Sequence, residues 1–583
     1  MNRALLVALA ACGTSVAGPP QPVSAPPRLP IAPGVLAPSL VQIVGTGSTD
    51  TSTGAMLADV DSCASCHPDA AAQWSESSHS FASFGNPIYR ANVELARAEL
   101  GRHASNHCGG CHDMPLATDG LMAGSGAIPS DDLRAHSGVT CRLCHGVQSV
   151  TKDGNGSYVW SKTPIEAPDL HDPASIARHK AQVSVTSLGT ELCVGCHRGF
   201  LSADLGAGMP VHLSGLDEPG AWRSSAWAGN GMGRVDNVEQ KTCIDCHMER
   251  EPASAGEYGA KHGTIASHRF VGGHTWMAAM RGDLDQLHRT QAKLEGAASI
   301  DVQPAPGAPR SFDVVVRNLL VGHQFPGGVL DIQDTWIEVE ARDAAGRVVA
   351  QSGRAHETDA HDTDAHVLRT LVVDDHGEVL DKHELPRFRT QIATQTIAAR
   401  SASVVRYALP DGVDAVTVTA RLRHRSRTLA MQEEVCRVAN TAEGKKFLAG
   451  AKGTRGVVLD PCRPQPITLI AQAQVRLGEP SDWQREYVHG MALTQVVTER
   501  LDEARVVLER ALHDAPDGHS QAMVIVQLAS VASKQGRAED TLALVAYARA
   551  LLVPASPAVL DALTADALMR VWKWDDAVAP AAA

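Results

Sequence analysis

A five-residue pattern, Cys-x-x-Cys-His, occurs five times between residues 63 and 247. Each copy has two residues between its cysteines and a histidine directly after the second one. This pattern is the attachment signature of c-type haem: the thiols form thioethers with the vinyl groups and the histidine binds the iron. The copies are Cys63, Cys66 and His67; Cys108, Cys111 and His112; Cys141, Cys144 and His145; Cys193, Cys196 and His197; and Cys243, Cys246 and His247.

Two other chemistries use the same residue types. Cysteine and histidine also bind zinc, and two cysteines at this spacing form thiol redox sites. Neither chemistry requires a histidine at the same offset in every copy, whereas the haem iron does. The repetition therefore favours five covalently bound c-type haems, each named below by its proximal histidine.

The bulk composition limits the classes of partner. The chain has 583 residues, a formal charge of −13 and only 4% aromatic residues. A chain of this length divides into several domains, and haem replaces aromatic side chains as a large apolar plate in a core. The acidic balance argues against nucleic acid and is compatible with redox partner proteins.

The N-terminus reads as an export signal. Arg3 precedes an apolar run that is too short to span a bilayer. Residues 9–12 resemble the bacterial lipobox, which implies cleavage before Cys12 and its lipidation; the alternative is an ordinary signal peptide over residues 1–12. We expect an exported protein, periplasmic or at the cell surface, held to a membrane by lipid only. Residues 13–55, rich in Pro, Ser and Gly, are predicted to form a disordered linker.

Residues 56–297 are predicted to form a mostly helical pentahaem domain. CASCHPDAAAQWSESSHSFA, from Cys63, and GVTCRLCHG, from Gly138, resemble the cytochrome c-554 family over residues 62–196. The resemblance implies that His79 is the distal ligand of the His145 haem. It also implies that a later histidine, His179 in preference to His171, ligates the His67 haem. In that family the second haem can lack a distal protein ligand, although in this sequence residues near its motif are available to fill the position: His103, His107 and Met114.

Later segments resemble a broader set of exported multihaem cytochromes. CIDCHMEREP, from Cys243, is followed by SHRFVGGHTW, which makes His268 and His274 the distal candidates for the last two haems. VGHQFPGG, from Val321, has the same resemblance. Its His323 lies in a Gly/Pro loop, from which the imidazole would reach the haem domain; a loop histidine bonded to backbone is the alternative.

Residues 298–478 are predicted to form a β-sandwich of immunoglobulin-like character, because short runs rich in Val and Thr alternate with turns. Cys436 and Cys462 lack the haem pattern and are predicted to form a disulfide worth roughly 3 kcal/mol. The predicted strands cover Ser311–Asn318, Asp334–Ala341, Arg347–Ala350, Ser403–Leu409 and Ala415–Arg423.

Residues 479–583 are predicted to be helical. Leu501–Pro516 and Ala538–Pro554 are similar to each other, and both resemble the second helix of a tetratricopeptide repeat (TPR). Such repeats present a concave face on which a partner protein docks. A plain helical cap on the β-domain is the alternative.

The sequence therefore predicts a multidomain electron carrier with closely spaced haems, most of them ligated by two histidines. The alternative is an oxidoreductase with one open haem iron, which would act on a small nitrogen or sulfur oxyanion. No Cys-x-x-Cys-Lys motif is present, so the lysine-ligated site of nitrite reductases is absent.

Overall fold

The structure of the chain is a computed structural model that describes residues 39–47, 50–183, 188–201, 213–229, 238–413, 417–495, 499–553 and 557–582. These residues form a helical N-terminal region, a middle region of β-sheet and a helical C-terminal region. The predicted signal peptide, Cys12 and residues 13–38 lie outside them. None of the helices in the described ranges combines the length and apolar composition needed to cross a bilayer.

The N-terminal region consists of short helices joined by turns, with three small sheets. Its elements are β1 (Gln42–Val44), α1 (Thr53–Ala58), α2 (Asp61–Ala64), α3 (Pro68–Glu76), α4 (Pro87–Leu100), α5 (Ser105–Gly109), α6 (Met114–Thr118), α7 (Cys141–His145), β2 (Val147–Val150), β3 (Tyr158–Ser161), α8 (Pro173–Val183), α9 (Glu191–His197), β4 (Arg198–Leu201), β5 (Leu213–Asp217), α10 (Glu218–Arg223), α11 (Cys243–His247), β6 (Arg250–Pro252), β7 (Thr264–Ala266), α12 (Thr275–Arg281) and α13 (Leu284–Leu294).

The end of the predicted linker is ordered. β1 pairs in parallel with β3, Gln42 opposite Val159, and α1 begins at Thr53 behind the capping side chain of Ser52. Val41 is buried in the same core as Trp160. Within residues 13–55, the described residues 39–47 and 50–55 therefore include a paired strand and the start of a helix, and the linker itself stays a prediction.

Two of the three sheets in the middle region share one hydrophobic core. Its elements are β8 (Ala298–Pro304), β9 (Ser311–Asn318), β10 (Asp334–Arg342), β11 (Val348–Ser352), β12 (His366–Leu368), β13 (Thr370–Val373), β14 (Val379–Leu380), β15 (Thr390–Thr394), β16 (Ala402–Ala408), β17 (Thr417–Arg425), α14 (Leu429–Ala439), α15 (Ala442–Arg455) and β18 (Thr468–Arg476). One sheet has the order β16-β9-β8, and the other β11-β10-β17-β18 with β12 on β10. Val314 of the first sheet and Ile337 of the second lie in the common core. The immunoglobulin-like character stays a prediction.

Two helices interrupt the predicted all-β region. Thr428 caps α14 and Thr441 caps α15 through their side chains. Phe447 of α15 packs on Phe84 of the N-terminal region with ring centres 5.4 Å apart. Cys436 of α14 forms a disulfide with Cys462. This helical pair therefore joins the sheet region to the cytochrome motifs.

The C-terminal region is a series of helices that packs on the sheet β16-β9-β8. Its elements are α16 (Trp483–Ala492), α17 (Leu501–Asp514), α18 (Gly518–Lys534), α19 (Ala538–Leu552), α20 (Ala558–Arg570) and α21 (Trp574–Ala582). Tyr487 and Leu508 share a buried cluster with Val404 of the sheet. Both helices predicted from the repeat-like segments are present as α17 and α19, and the tetratricopeptide character stays a prediction.

Candidate haem sites

Each Cys-x-x-Cys-His motif begins in a short helix. A helical turn places residues i and i+3 on the same side, which directs both cysteines of a motif toward one edge. Thr140 caps α7 by accepting a hydrogen bond from the backbone of Leu143. Thr242 and Asp245 form a reciprocal capping box at the start of α11. Local hydrogen bonds therefore fix these two motif helices.

The motif histidines are held by their Nδ1 atoms. Nδ1 of His112 donates to the carbonyl of Ala82 at 2.8 Å. Nδ1 of His145 donates to Val183 at 2.9 Å. In the same way, His247 donates to the carbonyl of Val271 at 2.8 Å. An imidazole that donates through Nδ1 presents an unprotonated Nε2, which is the atom that binds a metal.

Burial keeps these imidazoles neutral, as metal binding requires. It lowers the pKa of His247 to about 4. It also lowers the pKa of His112, His145 and His197 below the ordinary value.

Three motif histidines face a second histidine ring. The ring centres of His67 and His179 lie 6.5 Å apart with an interplanar angle of 11°. Those of His247 and His323 lie 6.4 Å apart at 12°. Those of His197 and His79 lie 6.2 Å apart at 78°.

These separations fit a metal with an imidazole on each side. A metal–nitrogen bond of about 2 Å, plus about 1.1 Å from nitrogen to ring centre, gives about 6.2 Å for the two sides together. The residues present therefore suit an iron between the members of each pair.

The motifs also contact one another. In the thiol form, a hydrogen bond with Cys141 lowers the pKa of Cys63 to about 7. A hydrogen bond with Cys243 lowers the pKa of Cys193, and one with Cys111 raises that of Cys196. The first motif therefore touches the third, the fourth touches the fifth, and the second touches the fourth. Trp74 strengthens the first contact, because its Nε1 donates to the carbonyl of Val139 at 2.7 Å.

Residues 62–146 match the family described as cytochrome c554 and c-prime. This segment contains the first three motifs. The first three motifs therefore lie in a segment that is similar to c-type cytochromes.

Among solved structures, a penta-heme cytochrome c552 from Thermochromatium tepidum is similar, with 18% sequence identity and a TM-score of 0.45. The similarity covers 72% of the present chain and 100% of the chain of the penta-heme cytochrome. No curated protein matches the chain.

The distal histidines predicted from the sequence fall into different surroundings. His179 and His323 lie opposite motif histidines, as given above. The neighbour of His79 is the ring of His197, which differs from the pairing with the His145 haem that the family resemblance implies. His79 lies in a short 3-10 helix, Ser78–Phe81, after α3 and next to the fourth motif, where burial and His197 lower its pKa to about 3.

His268 and His274 differ in whether their Nδ1 atoms donate or accept a hydrogen bond. Nδ1 of His268 donates to the carbonyl of Ala266 at 2.9 Å, as the motif histidines do. Burial lowers the pKa of His268 to about 4, and the nearby His145 lowers it further. His268 therefore lies near the third motif. Nδ1 of His274 lies 3.3 Å from Nη2 of Arg427, a group that only donates, so this atom accepts a hydrogen bond.

His171 is exposed, and its backbone N–H donates to Asp169 at 2.9 Å. His179 lies on the next helix, α8, where its Nδ1 donates to the carbonyl of Glu166 at 2.8 Å. Of these two alternatives from the sequence, the structure brings His179 to His67.

His112 has a tyrosine rather than a histidine against its ring. Tyr89 stacks on it with ring centres 4.5 Å apart and an angle of 19°. Asp113, the next residue, is buried, and burial raises its pKa to about 7. One of its oxygens accepts the backbone N–H of Phe84 at 2.9 Å. The second motif therefore has a neighbourhood unlike the three with paired rings.

Two carboxylates lie next to candidate axial histidines and have no signal in the sequence. Nδ1 of His67 lies 2.8 Å from an oxygen of Glu257. Nδ1 of His323 lies 2.6 Å from Glu218. Although burial opposes the charged form of His323, Glu218 raises its pKa. Neither glutamate belongs to a motif, and no local spacing signals its role, because each contact joins residues far apart in the chain.

Proposed function

We propose that this cytochrome carries five c-type haems and passes electrons along them between redox partner proteins. The thioether bonds would come from the ten motif cysteines, and the proximal ligands would be the five motif histidines. Bound haem supplies one-electron chemistry at its iron. The observation that carries the proposal is the set of three facing histidine pairs, since two imidazoles leave no position on the metal for a substrate.

The distal ligands follow from the same geometry. His179 would complete the site of His67, His79 that of His197 and His323 that of His247. His268 is the candidate for the site of His145, because the two are close and its Nε2 is unprotonated. Burial lowers the pKa of His79 to about 3 and that of His268 to about 4, which supports ligation by these two rings, since a protonated imidazole has no lone pair for a metal.

The contacts between motifs support short steps from haem to haem. They connect the fifth motif to the fourth, the fourth to the second, and the first to the third. The third motif is also close to the fourth, because the charge of Cys144 acts on the thiol of Cys193. All five motifs therefore form one connected group, as an electron-transfer chain requires.

Further parts of the proposal rest on the sequence. Export and a lipid anchor at Cys12 would place the cytochrome outside the cytoplasm, where c-type haem is attached and where the disulfide between Cys436 and Cys462 persists. The domain boundaries at residues 56, 298 and 479, the immunoglobulin-like sheet region and the repeat-like docking surface for a partner belong to the same proposal.

Low-temperature EPR of the oxidised protein, with iron and haem quantified on the same sample, tests the proposal. We expect five haems per chain and low-spin signals for the paired sites. Fewer than five haems, or high-spin iron at the paired sites, would contradict it.

A second candidate function is catalysis at an open iron on His112. The ring stacked on His112 is Tyr89, and the described residues place no histidine ring against it. In that case one high-spin haem equivalent should appear in the EPR spectrum and shift when nitrite, hydroxylamine or tetrathionate is added. A spectrum without a high-spin component would exclude this candidate.

A further inference from the structure

Glu257 is a buried carboxylate directed at the first motif. Only 4% of its surface is exposed, and its side chain less still. Its Oε1 lies 2.8 Å from Nδ1 of His67, whereas the His67 side chain itself is 35% exposed. Burying a glutamate removes its hydrogen bonds to water, which is unfavourable unless hydrogen bonds within the protein replace them.

Three backbone N–H groups donate hydrogen bonds to the two carboxylate oxygens. The N–H groups of Asp69 and Ala70 donate to Oε2 at 3.2 Å each. The N–H of Gly259 donates to Oε1 at 2.8 Å. Asp69 and Ala70 lie in the first turn of α3, a nine-residue helix whose N-terminus attracts negative charge. Glu257 is therefore a fixed carboxylate acceptor for the Nδ1–H of His67.

Three of the other four motif histidines have neutral acceptors. The Nδ1 atoms of His112, His145 and His247 donate to neutral backbone carbonyls. Hydrogen bonds to an ionised acceptor are roughly twice as strong as neutral ones. A carboxylate that draws the Nδ1 proton makes the imidazole more basic at Nε2, and such outer partners tune a bound metal.

We propose that Glu257 is a positioning residue that lowers the reduction potential of the haem bound by His67, relative to the haems whose proximal histidines donate to carbonyls. The inference rests on the proposed function, since it requires haem at the first motif. A more basic imidazole stabilises the ferric state over the ferrous state. The first haem then tends to give its electron to the haem of His145, whose motif it touches through Cys63 and Cys141.

The test is a potentiometric titration of the full haem-loaded cytochrome, followed by visible absorption and EPR. Glu257→Gln keeps the size of the side chain and removes its charge. Glu257→Asp keeps the charge and withdraws it from His67 by one methylene. We expect one component of the titration to move to more positive potential in both variants. In Glu257→Gln its reduction equilibrium should change about tenfold, or ~59 mV for a one-electron couple. The other components should stay in place.

Asp69→Asn is the matched control. Asp69 lies on the same turn of α3, and its carboxylate accepts the backbone N–H and the hydroxyl of Ser254 rather than Nδ1 of His67. The substitution Asp69→Asn removes one charge beside the first motif but leaves the hydrogen bond between His67 and Glu257 in place. We therefore expect the reduction potentials to stay unchanged.

Three results would overturn the role of Glu257: unchanged potentials in a fully loaded variant, an equal shift in Asp69→Asn, or loss of the first haem from both Glu257 variants, which would indicate a structural role. The proposed function is judged separately, by the haem count and spin states of the unmodified protein.

Discussion

Oδ2 of Asp313 lies 2.8 Å from Nε2 of His489, and the two side chains are 0% and 1% exposed. Asp313 belongs to β9 and His489 to α16, so the pair joins the sheet to the C-terminal helices. Arg406 of β16 extends the contact, because its guanidinium binds Asp313 at 2.7 Å and Glu503 of α17 at 2.6 Å. A buried ionic network therefore fixes the C-terminal region on the sheet.

Replacing Asp313 should loosen this junction. Asp313→Asn leaves Arg406 without its full countercharge in a buried position, which costs about 3–5 kcal/mol when one partner of a buried pair is removed. Chemical denaturation followed by far-ultraviolet circular dichroism measures the loss, while the visible haem spectrum of the folded variant should be unchanged. Glu509→Gln in the exposed pair with Arg505 is the control and should change stability by at most about 0.5 kcal/mol. Equal stability of both variants would contradict the prediction.

The same carboxylate should make stability fall in acid. Burial opposes ionisation of Asp313, but hydrogen bonds from Arg406 and His489 outweigh it and hold its pKa below 3.8. Because the folded pKa is the lower one, the stabilisation is complete above pH 4 and is lost as the pH falls through the folded pKa. Denaturation midpoints measured from pH 6 to pH 3 should fall more steeply in the unmodified cytochrome than in Asp313→Asn. Parallel curves would show that Asp313 does not titrate as expected.

His179 should be required for a low-spin first haem. His179→Ala removes the ring that faces His67 and should convert one low-spin haem into a high-spin one, visible by EPR. His171→Ala is the matched control, since His171 is the exposed neighbour that the sequence left as an alternative. If His171→Ala produces the high-spin signal and His179→Ala does not, the assignment of the distal ligand is reversed.

The ring angles predict which EPR signal belongs to His79. Near-perpendicular imidazole planes, as in the 78° pair of His79 and His197, leave two iron d orbitals nearly equal in energy and give a signal with an unusually large gmax. The pairs at 11° and 12° should give ordinary rhombic signals. His79→Ala should remove a large-gmax signal, and His323→Ala a rhombic one. The opposite assignment would favour the pairing of His79 with His145 implied by the family resemblance.

Local patterns in the sequence were sufficient for much of the fold. Ser311–Asn318 forms β9 with the predicted bounds, because its run of valines favours a strand wherever it packs. The buried face of α13 does not follow from its apolar residues: Leu284 is 61% exposed while Gln286 and Thr290 are buried. Which side chains of this helix are buried depends on the elements packed against it. The helical period of the sequence does not predict those elements.

In the candidate haem sites, some residues can be predicted from the local sequence and others cannot. A motif histidine is identified by its adjacent cysteines, so the sequence alone names all five candidates. A distal ligand is defined by a contact between distant residues, and His79 shows that a family resemblance can give a different partner from the one the fold supplies. Glu257 follows the fifth motif and contacts the first, so only the three-dimensional arrangement reveals it.

The pair of His247 and His323 has a consequence for how the protein is assembled. His247 is supplied by the helical N-terminal region and His323 by a loop after the first strands of the sheet region. Neither region alone contains both rings, so under the proposed ligation the last haem site would be complete only after the sheet region has been synthesised and has folded. Haem can be attached to the fifth motif before the sheet region folds. Binding of the iron by His323, as proposed, would require both regions.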